Sequence, residues 1–142
     1  MANKFSIRVT DHTGEVIRTV DSKIRMALSL MGDTVEGYAK EDCPVDTGLL
    51  RNSITHGQGG GKPNISSYHA DNPKPGVPSS GSYSTLDGES DAEYVGTNVE
   101  YAPVQEFNDM HHQVGRAHFL RDAGQKHVDE LKNIAETVLK TI

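Results

Sequence analysis

Cysteine occurs once in this sequence, long hydrophobic runs are absent, and basic residues are outnumbered by acidic ones. The single Cys43 excludes an internal disulfide and gives no support for secretion. No stretch approaches the ~18 consecutive apolar residues that a membrane span requires, and Met1-Ala2-Asn3-Lys4 carries no apolar core of a signal peptide. These features predict a soluble protein made in the cytoplasm, with no membrane partner. With 14 Lys and Arg against 20 Asp and Glu, the net charge is −6. Such a balance disfavours gripping a phosphate backbone, because that binding is driven by cations displacing counterions. Hydrophobic residues make up only 35% of the chain, below the share of a compact globule, so one segment must contribute little to the core. The length of 142 residues suits a single domain, 1–142.

What is present alternates between two periods. Phe5, Ile7 and Val9 alternate with polar residues, the pattern of a half-buried strand. From Val16 the apolar residues recur at three- and four-residue steps: Val16/Ile17, Val20, Ile24, Ala27/Leu28, Met31, Val35 and Tyr38/Ala39. That is the stripe of an amphipathic helix, with Thr13 or Asp21 as its N-cap. Gly32 and Gly37 each cost about 1 kcal/mol relative to alanine, so the helix depends on packing. Pro44 ends it near Asp42. Asp46-Thr47-Gly48 is a turn, and Leu49 to Thr55 a helical turn passing into a strand. Residues 56–92 are dominated by Gly, Ser and Pro, including Gly59-Gly60-Gly61 and Pro73-Lys74-Pro75-Gly76-Val77-Pro78. This composition predicts an extended loop or arm inserted in the domain, ordering only against neighbouring subunits. Glu93 to Val99 reads as a strand, Val104 to Phe107 as a short helix started by Pro103, and Phe119 to the end as a second long helix. Asp122 near its start and Lys140 near its end suit its dipole. The expected fold is α+β: two long amphipathic helices on a small, mostly antiparallel sheet.

Three clusters carry a resemblance. They are Cys43-Pro44-Val45-Asp46-Thr47-Gly48-Leu49-Leu50-Arg51-Asn52-Ser53-Ile54, then Tyr94-Val95-Gly96-Thr97-Asn98-Val99-Glu100-Tyr101-Ala102-Pro103-Val104-Gln105-Glu106-Phe107, then Ala117-His118-Phe119-Leu120-Arg121-Asp122-Ala123. In this order and spacing they resemble the small neck or tail-completion proteins of long-tailed double-stranded DNA bacteriophages. That family typically shows Pro-Val-Asp-Thr-Gly-x-Leu-Arg-x-Ser, then Tyr-Ala-x-x-x-Glu-Phe-Gly, then a Pro-Phe-Leu-like start to the last helix. The chain departs from it at Asn108, where the family usually has glycine, and at Ala117-His118, where proline is common. The resemblance implies a non-enzymatic virion protein with no cofactor. It would be assembled in the host cytoplasm and built into the neck or tail end as a ring of six or twelve copies, touching other neck and tail proteins while DNA passes through the channel without specific binding. Its motif positions here are Pro44, Asp46, Thr47, Gly48, Arg51, Tyr101, Glu106, Phe107 and Phe119, read as structural or interface residues.

Physically, Asp46 and Thr47 can cap the turn and Gly48 can supply an unusual backbone angle. Arg51 can hold a carboxylate, Glu106 being one partner, against the blander reading of two solvated charges. Tyr101 and Phe107 are expected in the core rather than on a binding surface. Asp46-Thr47-Gly48 also matches the triplet of aspartic proteases, but those enzymes need two carboxylates sharing a proton in a β-rich setting, and here the triplet follows a long helix. His56 to Lys62 fails as a phosphate loop because Pro63 stands where Ser or Thr must follow the lysine. His111, His112, His118 and His127 lack the spacing of a zinc site, and surface or turn histidine is the default.

Overall fold

The computed structural model describes residues 11–108 and 114–142. The strand expected around Phe5, Ile7 and Val9, and the histidines His111 and His112, lie outside the described residues. The fold is α+β: one long helix, four shorter ones, and two separate two-stranded antiparallel sheets among the described residues.

Helix α1 spans Thr13–Asp42, 30 residues, or roughly 45 Å at the α-helical rise. Neither Thr13 nor Asp21 is its N-cap. The cap position is His12, whose side chain makes no capping bond. Asp11 takes that role instead, its Oδ1 accepting the Thr13 N–H at 2.8 Å. At the other end Cys43 is extended before Pro44, as the proline dictates. The last turn is closed by Arg116, whose N–H donates to the Asp42 carbonyl at 2.8 Å and whose guanidinium meets the Asp42 carboxylate at 2.7 Å.

The apolar stripe of α1 is only half used. Ala27, Gly32, Glu36 and Ala39 are buried, whereas Val16, Ile17 and Ile24 are exposed. Burial at Gly32 explains a residue that helix propensity alone would reject. A Cβ there would stand 2.8 Å from Glu93 Cγ and 2.8 Å from His56 Nδ1, so glycine lets these two side chains close onto the helix. Across this contact His56 Nδ1 meets Glu93 Oε1 at 2.8 Å, His56 Nε2 lies 3.5 Å from Asp33 Oδ1, and Arg25 pairs with Glu93.

After the turn, α2 (Leu49–Ser53) leads into β1 (Thr55–Gln58), as expected. Strand β2 (Ser67–His69) pairs with β3 (Ser80–Ser82), Tyr68 opposite Gly81. Strand β4 (Glu93–Gly96) pairs with β1, Thr55 opposite Gly96 and Gln58 opposite Glu93. The 56–92 segment is therefore not a structureless arm in this fold. It contains most of β1 and all of β2 and β3, buries Tyr68, and lays Ile65, Ala70 and Tyr83 against the core. Backbone bonds such as Asn64 N–H to His56 O (2.7 Å) and Gly60 N–H to Leu86 O (2.7 Å) hold it to itself. Composition misled because backbone pairing and a few large side chains order a segment that is poor in aliphatic residues. Residues 71–80 stay exposed.

The rest is helical: α3 (Ala102–Phe107) with Pro103 in its first turn, α4 (Phe119–Gln125) and α5 (Val128–Leu139). The expected single terminal helix is thus two. At the break the Tyr38 ring stacks on His127 with centroids 3.5 Å apart, and the Tyr38 hydroxyl donates to Glu130 Oε2 at 2.5 Å. These contacts let the two pieces follow α1 separately. One core joins the elements, formed by Ala39, Cys43, Leu49, Leu50, Ile54, Tyr68, Val99, Ala102, Phe119 and Ala123. Among the described residues no helix is long and apolar enough to cross a membrane.

Candidate functional site

The Pro44-to-Ser53 stretch has chemistry to explain because several of its polar residues are paired with another segment. Thr47 is buried, and its Oγ1 accepts the Leu49 N–H at 3.3 Å, closing the turn locally. Gly48 adopts φ +88°, and a Cβ there would stand 2.7 Å from Asp71 Oδ2. Glycine is thus required twice, for the backbone angle and for the close approach. The Thr47 carbonyl accepts the Asn72 N–H at 3.0 Å. One turn later Arg51 pairs with Asp71, and Asn52 Nδ2 donates to the His69 carbonyl (2.8 Å) and to Asp71 Oδ1 (3.0 Å).

Asp46 does not cap the turn. Its carboxylate is exposed and holds Lys74 Nζ at 2.5 Å. The turn and α2 together therefore form a clamp on residues 69–74, the base of the exposed loop. Val77 beyond it folds over a groove of about 330 Å³ that is also lined by Pro44, Asp46, Thr47, Leu50 and Tyr101. A lone exposed carboxylate neutralised by lysine borders that groove. The Cys43 thiol is buried in the core and pushed up to about 12 by burial, against a smaller lowering by Arg51.

The other motif residues divide between core and surface. Arg51 and Glu106 are not partners. Glu106 is buried and accepts two backbone N–H groups, Leu120 to Oε2 and Arg121 to Oε1, both at 2.9 Å. Its own carbonyl accepts the His118 N–H at 2.8 Å. Helix α4 has no side-chain cap of its own, and His118 before it sits at φ +60°. Glu106 supplies the acceptors that α4 lacks. Phe119 is completely buried, and Tyr101 packs half-buried on the core with its hydroxyl pushed up by burial. Phe107 is the opposite of the expectation, 74% exposed. In a helix of six residues, Ala102 and Glu106 take the inner face and leave Val104 and Phe107 outside.

Hydrogen bonds tie the second cluster to the first. Ser53 Oγ and Thr97 Oγ1 are 2.5 Å apart, the Tyr83 hydroxyl donates to the Ser53 carbonyl at 2.6 Å, and the Asn98 N–H donates to that hydroxyl at 3.1 Å. The Tyr68 hydroxyl donates to Asn98 Oδ1 at 2.5 Å. Sequence reading missed Asn52, Asp71, Lys74 and Asn98 as members of this network. Asn52 lies inside the quoted motif, but its partners are 17 and 19 residues away, beyond any local signal.

His118 and Asp122 are joined through the backbone, Asp122 N–H to His118 O at 2.8 Å. Burial pushes the Asp122 carboxyl up, but hydrogen bonds from Lys126 and Arg121 outweigh it and leave the group below its usual range. Among the described residues no group of three or more His, Cys, Asp or Glu is placed to hold a metal ion. Comparison with family models, with curated proteins and with solved structures finds no match.

Proposed function

We propose that this chain is a structural subunit of a tailed bacteriophage particle, a ring-forming component of the neck or tail end that completes the tail and joins head to tail. It works by contact between surfaces, without a cofactor, and DNA passes its ring without specific binding. The observation that carries the reading is the convergence of the three quoted clusters. Gly48, Arg51 and Asn52 clamp the loop base, Ser53 binds Thr97, and Glu106 caps the helix opened by Phe119. Their polar groups are spent on one another and on backbone, which is scaffold chemistry. In this reading the helices form the ring wall, and the exposed 71–80 part of the 56–92 segment is the arm that reaches a neighbouring protein.

The test is a phage whose copy of this reading frame is interrupted, with and without complementation. Electron microscopy should show filled heads and finished tails that stay apart, rejoined when the protein is restored. Normal virion yield from the interrupted phage would overturn the proposal.

A further inference from the structure

Backbone hydrogen bonding leaves one edge of the β1–β4 pair open. In an antiparallel pair, residues that exchange both backbone bonds with the other strand alternate with residues whose N–H and C=O point away from it. The phase is fixed by the Gly59 N–H, which donates to the Ala92 carbonyl at 3.1 Å. Counting back, Gly57 with Tyr94 and Thr55 with Gly96 are the bonded pairs. The far side of β1 agrees, because His56 turns its carbonyl outward to accept the Asn64 N–H. Glu93 and Val95 therefore point their N–H and C=O groups away from β1, and none of these groups has a partner among the described residues. Thr97, next in the alternation, has no backbone partner either. The chain's own Phe5–Val9 run cannot lie along this edge. Gly32 abuts Glu93 and stands 19 residues from Thr13, or ~28 Å along α1. Ile7, the middle of the run, is joined to Thr13 by a stretch that spans at most ~22 Å.

We infer that two copies of this chain pair along β4, antiparallel about Val95, so that β1 and β4 of both form one continuous sheet. Only another extended strand can satisfy such an edge, and the segment 93–97 fits a second copy of itself. Val95 faces the copy's Val95 and exchanges both backbone bonds, Glu93 faces Thr97, and Tyr94 faces Gly96. Tyr94 is 40% exposed, whereas a Cβ on Gly96 would meet nothing within 4 Å. Beside that glycine lies a hollow of about 340 Å³, lined by Ser84, Thr85, Leu86, Gly96 and Thr97. The copy's tyrosine ring fills it, an aromatic covering the glycine of the facing strand. No like charges meet. Glu93, the one charge on the segment, is already held by Arg25 and His56, and Asp87, the one charged residue lining the hollow, receives a neutral ring. The contact is isologous and closes at two copies, so it goes beyond the ring reading and leaves other surfaces free for it.

The test is a register-specific cross-link in the full chain. In the inferred pairing, positions 94 and 96 face each other without exchanging backbone bonds, so their Cα atoms stand about 4.5 Å apart, within disulfide reach. Like positions are diagonal, about 7–8 Å apart, and beyond it. Tyr94→Cys and Gly96→Cys chains are mixed in equal amounts and oxidised with diamide. Non-reducing electrophoresis should show a linked dimer in the mixture and about tenfold less in either variant alone. Cys43 is buried and stays out of the reaction. Val95→Pro removes one outward donor from each copy and no bond to β1. Self-association measured by sedimentation should then weaken about 30-fold. Circular dichroism checks that this variant folds, and if it does not, the cysteine pair decides. A mixture without linked dimer would overturn the inference, as would a single variant that links as well as the mixture. A folded Val95→Pro protein that associates like wild type would do the same. So would a wild type that stays monomeric up to about 100 μM, whatever segment then covers the edge.

Discussion

Replacing Glu106 with alanine removes two acceptors from the start of α4. The carboxylate is 5% exposed and receives the Leu120 and Arg121 N–H groups, each at 2.9 Å. A hydrogen bond to a charged group contributes about 1.5–3 kcal/mol net. The two freed N–H groups lie in the first turn of a helix, where water reaches them in part, so the low end applies to each. The expected loss for Glu106→Ala is about 3 kcal/mol by that count. Glu106→Gln keeps one acceptor oxygen and points an NH₂ at the second donor, so about half the loss should remain, ~1.5 kcal/mol. For a domain of this size 1 kcal/mol shifts the midpoint by roughly 4 °C, so the alanine variant should melt about 12 °C below wild type. Urea titration followed by circular dichroism gives the free energies directly. An alanine variant within about 0.5 kcal/mol of wild type, the scatter of an ordinary surface substitution, refutes the capping role. A glutamine variant as damaged as alanine refutes the count of acceptors.

Other perturbations test the clamp, the core and the helix. Gly48→Ala meets both a positive φ and the Asp71 carboxylate, and should cost about 2 kcal/mol or more in the same titration. Arg51→Met should barely move the melting temperature, since a half-exposed ion pair contributes at most about 1 kcal/mol. It should nonetheless speed cleavage of the exposed 71–80 segment by proteinase K, because the loop base loses its hold on α2. Cys43 should resist iodoacetamide at pH 8 until the protein unfolds. Its folded pKa of about 12 exceeds the ordinary 9.0, so the folded state holds the proton more tightly. The thiol's stabilising share is then complete below pH 9 and falls by about 1.4 kcal/mol per unit as pH rises toward 12. Gly37→Ala should stabilise α1 by up to about 1 kcal/mol because nothing lies near its Cβ. Gly32→Ala should destabilise, since its Cβ meets Glu93 and His56, and overpacking of about 1–3 kcal/mol exceeds the propensity gained.

Features set by a few adjacent atoms were legible in the sequence. Pro44 stops α1 by sterics, Gly48 takes the positive φ, and Pro103 lies in the first turn of α3. Features decided by distant partners were not. The break after α4 depends on Tyr38, which stacks on His127. Arg51 found Asp71, 20 residues away, while Glu106 was drawn to backbone donors of a helix without a cap. Phe107 failed as a core residue because six residues are too few turns for periodicity to define an inner face. The 56–92 segment was misjudged by counting apolar side chains when its order comes from β pairing and two tyrosines.

That last point bears on how so polar a chain closes a domain. The tyrosines Tyr68 and Tyr83 are each apolar on the body and polar at the tip, and both tips end on Asn98, one at its side chain and one at its backbone. Asn98 in turn donates to the Ser82 carbonyl at 2.9 Å. The loop is thereby locked to the strand region from one side, while Asn52 and Arg51 lock it from the other. Polar groups buried in such networks are costly unless every member is satisfied, so this centre is built to be rigid. Rigidity is concentrated where the three motif clusters meet.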